Sequence, residues 1–168
     1  NGKQAPVRRG SRLRTRRLQV SHREGEVKMA EEKNRLVIVA SRGTADGLYP
    51  ALILATTAVA QGKEAYVYFT FGGMKLLTKQ TAQTIGPSVD LGVSKEQLEQ
   101  LLSKGGMPSL FDMLKMAKQN GVKIYACSPT MSLFGLRKED LVEIVDDIIG
   151  ASTFLEIASD PKTLALFI

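Results

Sequence analysis

Covalent chemistry in this chain of 168 residues has one obvious place to happen, because there is a single cysteine. Cys127 lies in Val122-Lys-Ile-Tyr-Ala-Cys-Ser-Pro-Thr-Met-Ser-Leu-Phe-Gly-Leu136, which reads as a short apolar strand, a turn and a helix. A thiol at that junction faces unpaired backbone N–H groups and the positive end of the helix dipole. Both favour thiolate over thiol, so the spacing predicts a lowered pKa. Ser128 and Thr130 stand close enough in sequence to add hydrogen bonds to sulfur. The competing reading is a buried cysteine acting as a small hydrophobe, as free cysteines often do.

What the rest of the chain lacks narrows the chemistry. The only histidine, His22, lies in an N-terminal basic stretch, so Cys-His and Ser-His-Asp catalysis within the domain would need a partner's histidine. One cysteine makes no internal disulfide and no multi-thiolate zinc site. A lone thiol without a disulfide framework fits a reducing cytoplasm. An activated thiolate without a base is a poor protease but a workable carrier. It can accept sulfane sulfur as a persulfide, or a thiosulfonate, and pass it to another thiol.

Other candidates are weaker. The loop Ser41-Arg-Gly-Thr-Ala-Asp46 offers Arg42, Thr44 and backbone N–H groups to an anion, without the Gly-Lys-Ser/Thr ending of a phosphate-binding loop. Gly72-Gly73 reads first as a turn, with Gly73 kept as a substrate-lining candidate. Together with Ser128, Thr130 and Met131 these form the candidate set around Cys127. Asp146-Asp147 reads as a solvated helix face rather than a metal site. Met107, Met113, Met116 and Met131 read as core filler rather than copper ligands. No metal and no cofactor is called for.

At 43% hydrophobic and 24% charged, the composition is that of a globular domain with a real core. No apolar run reaches membrane-span length, and no apolar stretch follows the basic start as a secretory signal would require. The net charge of +6 resides in residues 1–33, which hold ten Lys/Arg against four Glu, while 34–168 hold thirteen of each sign. Residues 1–33 therefore read as a basic tail that cannot fold alone, with Met29 as a possible natural start. Nucleic-acid binding through the tail and a targeting peptide are the alternatives. Residues 34–168 read as one domain with no basic excess to mark it as a nucleic-acid binder.

The elements that must position Cys127 follow from periodicity. Arg35–Ala40 is a continuous β-branched run, the pattern of a strand buried on both faces. Pro50 opens a helix through Ala60, and Glu64–Phe71 is a second strand. Residues 78–93 read as a flexible loop. Ser94-Lys-Glu-Gln97 is a capping box opening a helix, and Ser109–Asn120 is another. Val122–Ala126 is the third strand, followed by the Ser128–Phe134 helix. Residues 137–149 read as an amphipathic helix with Leu141, Val142, Val145, Ile148 and Ile149 on one face. A helix over 151–159 and a strand over 163–168 complete the chain. Strands alternating with helices predict an α/β fold in three layers, with a mainly parallel sheet covered on both faces. Right-handed crossovers then bring loops 41–47, 72–75 and 127–131 to one sheet edge, where such sheets bind ligands.

Residues 34–168 resemble the DsrE/DsrF-like family of small sulfur-relay proteins. The resemblance rests on the first strand with Gly43-Thr-Ala-Asp-Gly47, on Tyr66-Val-Tyr-Phe-Thr-Phe-Gly-Gly73, and on Gly121-Val-Lys-Ile-Tyr-Ala-Cys127 with Ser-Pro-Thr-Met-Ser-Leu-Phe-Gly135. The Asp140-Leu-Val-Glu segment, Gly150-Ala-Ser-Thr-Phe-Leu and the final Leu-Phe-Ile extend it. The resemblance implies a flavodoxin-like fold, a trimer or hexamer, a sulfur-carrying cysteine at Cys127 and exchange with a small TusA-like sulfur carrier. It also implies a role near sulfur oxidation or tRNA thiolation. Some relatives that carry thiosulfate have a second cysteine shortly before the matching one, and this chain has none there. Other members serve as non-catalytic subunits, so a scaffold or small-ligand-binding module is the competing expectation.

Overall fold

A computed structural model describes residues 33–168. The expectations for the basic tail and for Met29 lie outside the described residues. Five strands form one sheet: β1 (Arg35–Ala40), β2 (Glu64–Phe69), β3 (Lys123–Cys127), β4 (Asp147–Ile149) and β5 (Thr163–Phe167). Their order is β4-β3-β2-β1-β5, and every neighbouring pair is parallel.

This order decides where the helices go. The steps β1 to β2 to β3 to β4 all run the same way across the sheet. Right-handed connections therefore put α1 (Ala45–Ala60), α2 (Lys95–Lys104), α3 (Leu110–Gln119) and α4 (Ser128–Phe134) on one side. The step from β4 back to β5 runs the other way, which leaves α5 (Ala151–Ala158) on the opposite face. Side chains alternate along each strand. Leu36, Ile38, Val67, Phe69, Ile124 and Ala126 point into the main core with Leu48, Leu52, Ala55 and Leu114. Tyr68, Cys127 and Ile149 form a second, smaller cluster with Phe154 and Ile157 of α5. The central strands β1, β2 and β3 are mostly buried on both faces, whereas the edge strand β5 is largely exposed.

The α/β reading, the buried first strand, the capping box at Ser94 and the α4 turn all match the structure. Three local expectations do not. Residues 137–149 are not a helix: one 3₁₀ turn (Lys138–Asp140), a bridge at Leu141 and a turn at 143–144 lead into β4. The apolar spacing imitates a helix, but long-range partners win. The Val142 N–H donates to Leu77 O at 2.8 Å, and Leu141 makes an antiparallel bridge to Thr78. Asp146 accepts from the Ile124 N–H at 2.8 Å and pairs with Lys118 and Lys123, fastening β4 to β3. It is thus a tertiary clamp rather than part of a solvated helix face. Next, α1 starts at Ala45 and carries Pro50 inside it, so the preceding loop is shorter than expected. Within 78–93, finally, residues 79–84 form hydrogen-bonded turns and Val89–Leu91 a 3₁₀ turn, and the stretch between them is tied to α1. Ser88 donates through N–H and Oγ to Asp46 at 2.6 and 2.8 Å, and the Ala45 N–H donates to Gly86 O at 2.8 Å.

Candidate functional site

Cys127 is the last residue of β3, and the next residue opens α4. Pro129 suits the first helical turn, where no backbone N–H is needed, and Gly135 ends the helix in the left-handed region. The β2–β3 register pairs Tyr68 with Tyr125 and Phe69 with Ala126, which brings Thr70 alongside Cys127. On the other side, β4 pairs Ile149 with Cys127. Phe154 of α5 stacks on Tyr68 with ring centroids 4.8 Å apart. The sulfur therefore lies on the α5 face, walled by Tyr68, Ile149 and Phe154, with Cys127 only 5% exposed.

Its polar partners are hydroxyls. Thr130, itself 1% exposed, donates from Oγ1 to Cys127 Sγ at 3.2 Å. Two further groups converge on Thr130 Oγ1: the Phe71 N–H at 3.1 Å and Thr70 Oγ1 at 3.0 Å. A hydroxyl has one proton and two lone pairs. With the Thr130 proton on sulfur, Thr70 is the donor in the threonine pair, and both Thr130 lone pairs are filled. The network is then directed towards Cys127 and suits an accepting sulfur, a role the thiolate fills more strongly than the thiol.

Two opposing effects set the acidity. Burial is the largest and pushes the Cys127 thiol up; hydrogen bonding around the sulfur, led by the Thr130 hydroxyl, outweighs it, so the pKa falls below its ordinary value. Burial, followed by the neighbouring Cys127, raises the Tyr68 phenol well above its ordinary range. Tyr68 stays protonated at neutral pH and remains a donor.

Beside this network lies a strained residue. Phe71 has φ of +43°, the one non-glycine residue with positive φ among the described residues, and it is 58% exposed. For a bulky side chain this backbone region is disfavoured by roughly 1–3 kcal/mol. Its neighbours fix the conformation. A Cβ on Gly72 would lie 2.6 Å from Gly43 N, and one on Gly73 would lie 2.1 Å from Ala40 O. These glycines let the 41–43 and 70–73 loops touch backbone to backbone, which aims the Phe71 N–H at Thr130.

The sequence-derived candidates separate into two groups. Thr130 hydrogen-bonds to the sulfur, and Ser128 faces the β4–α5 junction, with its Oγ 3.6 Å from where a Cβ on Gly150 would stand. The others have different surroundings. Met131 packs into the main core. Gly73 holds the loop contact. Thr44 is the N-cap of α1, and the exposed Arg42 lies across Gly47, whose Cβ would meet Arg42 Cβ at 2.6 Å. Sequence reasoning missed Tyr68, Thr70 and the Phe71 N–H. The only signal for them was the spacing Tyr68-Phe-Thr70 at the end of an inferred strand next to β3.

A parallel α/β domain with one buried, hydroxyl-bonded cysteine at the carboxyl edge of its sheet is a single-thiol scaffold. The chain belongs to the DsrE/DsrF/DrsH-like family, which it matches over residues 32–90 and 86–167. It is similar to the sulfur carrier protein DsrE2 of Allochromatium vinosum, 29% identical over 152 residues, covering 77% of this chain and 95% of that protein. It is also similar to the uncharacterised protein YrkE of Bacillus subtilis, 26% identical over 154 residues, covering 79% of this chain and 96% of that protein. The crystal structure of the E. coli YchN protein shares the fold with a TM-score of 0.56 at 15% identity, covering 80% of this chain and 99% of that one. Among the described residues, no helix is long and apolar enough to cross a membrane.

Proposed function

We propose that this protein carries sulfur covalently on Cys127, accepting sulfane sulfur as a persulfide and handing it to a partner thiol. The observation that carries this reading is the hydrogen bond from Thr130 Oγ1 to Cys127 Sγ at 3.2 Å, in a buried network directed at the sulfur. A relative whose name is sulfur carrier protein supports it. In the loading step the Cys127 thiolate attacks the terminal sulfur of a donor persulfide, a polysulfide or thiosulfate. A new S–S bond forms as the donor's own S–S bond breaks. The leaving group is the donor thiolate, a shortened polysulfide, or sulfite from thiosulfate. In the unloading step a partner thiolate attacks the outer sulfur of the Cys127 persulfide, and Cys127 leaves as thiolate. No external oxidant is needed, and one cysteine suffices for both steps.

With the cysteine 5% exposed, exchange requires the wall over the sulfur to open or a partner to displace it. Large apolar side chains stand exposed where β2 and β5 end at this sheet edge, Phe71 and Phe167, and at the far end of α4, Leu133 and Phe134. Self-association into a trimer or hexamer and docking of a small carrier protein both draw on that surface. Incubation with polysulfide or thiosulfate, followed by intact-protein mass measurement, tests the reading. It requires added sulfur on the wild-type chain and none on Cys127→Ala. Equal modification of the two proteins, or none of either, would reject it.

A further inference from the structure

We propose that a cavity between α1, α2 and α3, on the sheet face opposite Cys127, binds a small, uncharged, largely apolar molecule. The cavity measures about 530 Å³, within the roughly 300–1,000 Å³ range of small-molecule sites. Its buried lining comes from Ala45 and Tyr49 of α1, Ala82 of the connecting turns and Leu110 of α3, all members of the main core. Cys127 belongs to the other cluster, under α5. The site is therefore separate from the sulfur chemistry.

The way α2 is attached explains the cavity. Helix α2 has no fully buried residue, although it is amphipathic. Its Leu98 and Leu102 line the cavity. The turn joining α2 to α3 is short and anchored. Gly106 takes a φ of +67°, the Met107 N–H donates to Leu102 O at 2.9 Å, and the Tyr49 hydroxyl donates to Pro108 O at 3.0 Å. The hinge end of the α2–α3 hairpin is thus pinned to α1. Leu98 and Leu102 are only partly buried where they pack against the core, so part of their apolar surface lines a space that a ligand would fill.

The chemistry of the lining selects the ligand class. Tyr49 is the one buried lining residue with a polar side-chain atom, and its only proton is committed to Pro108 O. A ligand acceptor would find no buried donor there. Gln83, Ser103 and Ser109 line it from exposed positions, and the charged lining groups, half-buried Lys95 and Lys115 with exposed Glu99 and Asp112, cancel. Lys95 pairs with Glu99 at 3.8 Å on α2, and Lys115 with Asp112 at 2.5 Å on α3. With no net charge at the mouth and an apolar floor, neither an anion nor a cation is favoured over a neutral molecule.

The uncharged dye N-phenyl-1-naphthylamine, which fluoresces in apolar surroundings, is the probe. Titration into the full chain should give saturable binding of one dye per chain. Leu98→Trp and Ala82→Phe, which fill the space, should abolish it. Leu101→Trp, on the exposed side of α2, and Cys127→Ala should retain it. Methyl NMR of the wild-type chain needs no substitution and should show dye-induced shifts at Leu98, Leu102 and Met107. Failure to saturate, indifference to the filling substitutions, or shifts confined to other methyls would overturn the proposal. Loss of dye binding as protein concentration rises would also overturn it, because a second copy would then occupy the cavity. Retention by Cys127→Ala keeps this outcome independent of the sulfur-carrier reading.

Discussion

At the scale of single residues, Thr130 decides whether Cys127 is an active thiol or core filler. Its hydroxyl proton goes to sulfur because the Thr70 hydroxyl and the Phe71 N–H occupy its lone pairs. Hydrogen bonds to charged groups contribute roughly 1.5–3 kcal/mol, which corresponds to about one pKa unit or more. Thr130→Val should therefore raise the pH midpoint of Cys127 alkylation by about one unit, with Thr130→Ser restoring it. An unchanged midpoint would show the hydroxyl to be structural only. The linkage has a definite sign. The folded pKa lies below the ordinary thiol value, so the bond adds stability that is absent at low pH. That stability appears as pH rises through the folded pKa and is complete above the unfolded one. The wild-type advantage over Thr130→Val should grow with pH in that window.

Phe71 tests the strain at the same scale. The residue is exposed and lies in the left-handed region, so replacement removes backbone strain with little loss of burial. Phe71→Gly should raise stability by about 1 kcal/mol in chemical denaturation, the strain relieved less the greater chain entropy of glycine. Destabilisation would mean that the ring itself is held in place. Slower sulfur exchange in a more stable variant would mark the strain as part of function.

At the scale of elements, the short strand β4 depends on Asp146. Burial raises its pKa, but the bonds from Lys118 and the Ile124 N–H, with the charges of Lys118 and Lys123, bring it below the ordinary carboxylate value. Asp146→Ala should destabilise the fold by about 1–3 kcal/mol in urea denaturation, since the Ile124 N–H loses its acceptor. The Asp146 contribution should fade as pH falls through the lowered folded pKa, and the two proteins should converge in acid. Divergence at low pH would contradict the clamp.

The same segment shows where the sequence stops being informative. Local signals were sufficient for β1, for the Ser94–Gln97 capping box and for the Cys127–Pro129 turn, because propensity, capping and patterning agree there. At 141–149 a helical spacing competed with β-branched composition, and partners far along the chain settled it. Thr130 was legible because it lies three residues from Cys127. Tyr68 and Thr70 were not, since only the β2–β3 register brings them to the sulfur. The Phe71 backbone was hidden for a related reason: its geometry is imposed by contacts between two loops that a sequence does not show as adjacent.

At the scale of the whole molecule, the sheet order divides the protein into two unequal sides. Four helices and the main core occupy one face. The other carries α5, with Tyr66 and Tyr125 stacked at 6.2 Å and Arg35 lying over Tyr66 at 5.4 Å. The thinly covered side is the one that holds the thiol, while Leu133 and Phe134 stand exposed at the end of α4. Exposed apolar surface of this kind marks interaction sites. If copies associate there, Leu133→Ser with Phe134→Ser should lower the molar mass seen by light scattering while leaving the melting behaviour of the chain cooperative. An unchanged mass would move the interface elsewhere.

The central claim is that one buried thiol both takes up and releases sulfur. It is tested most directly by loading the protein with radiolabelled sulfane sulfur, desalting it, mapping the label to a peptide and chasing with glutathione. The account predicts one labelled sulfur per chain on the peptide containing Cys127, discharged by the thiol and absent from Cys127→Ala. Label that is spread over other peptides, or that stays on Cys127 through the chase, would contradict it.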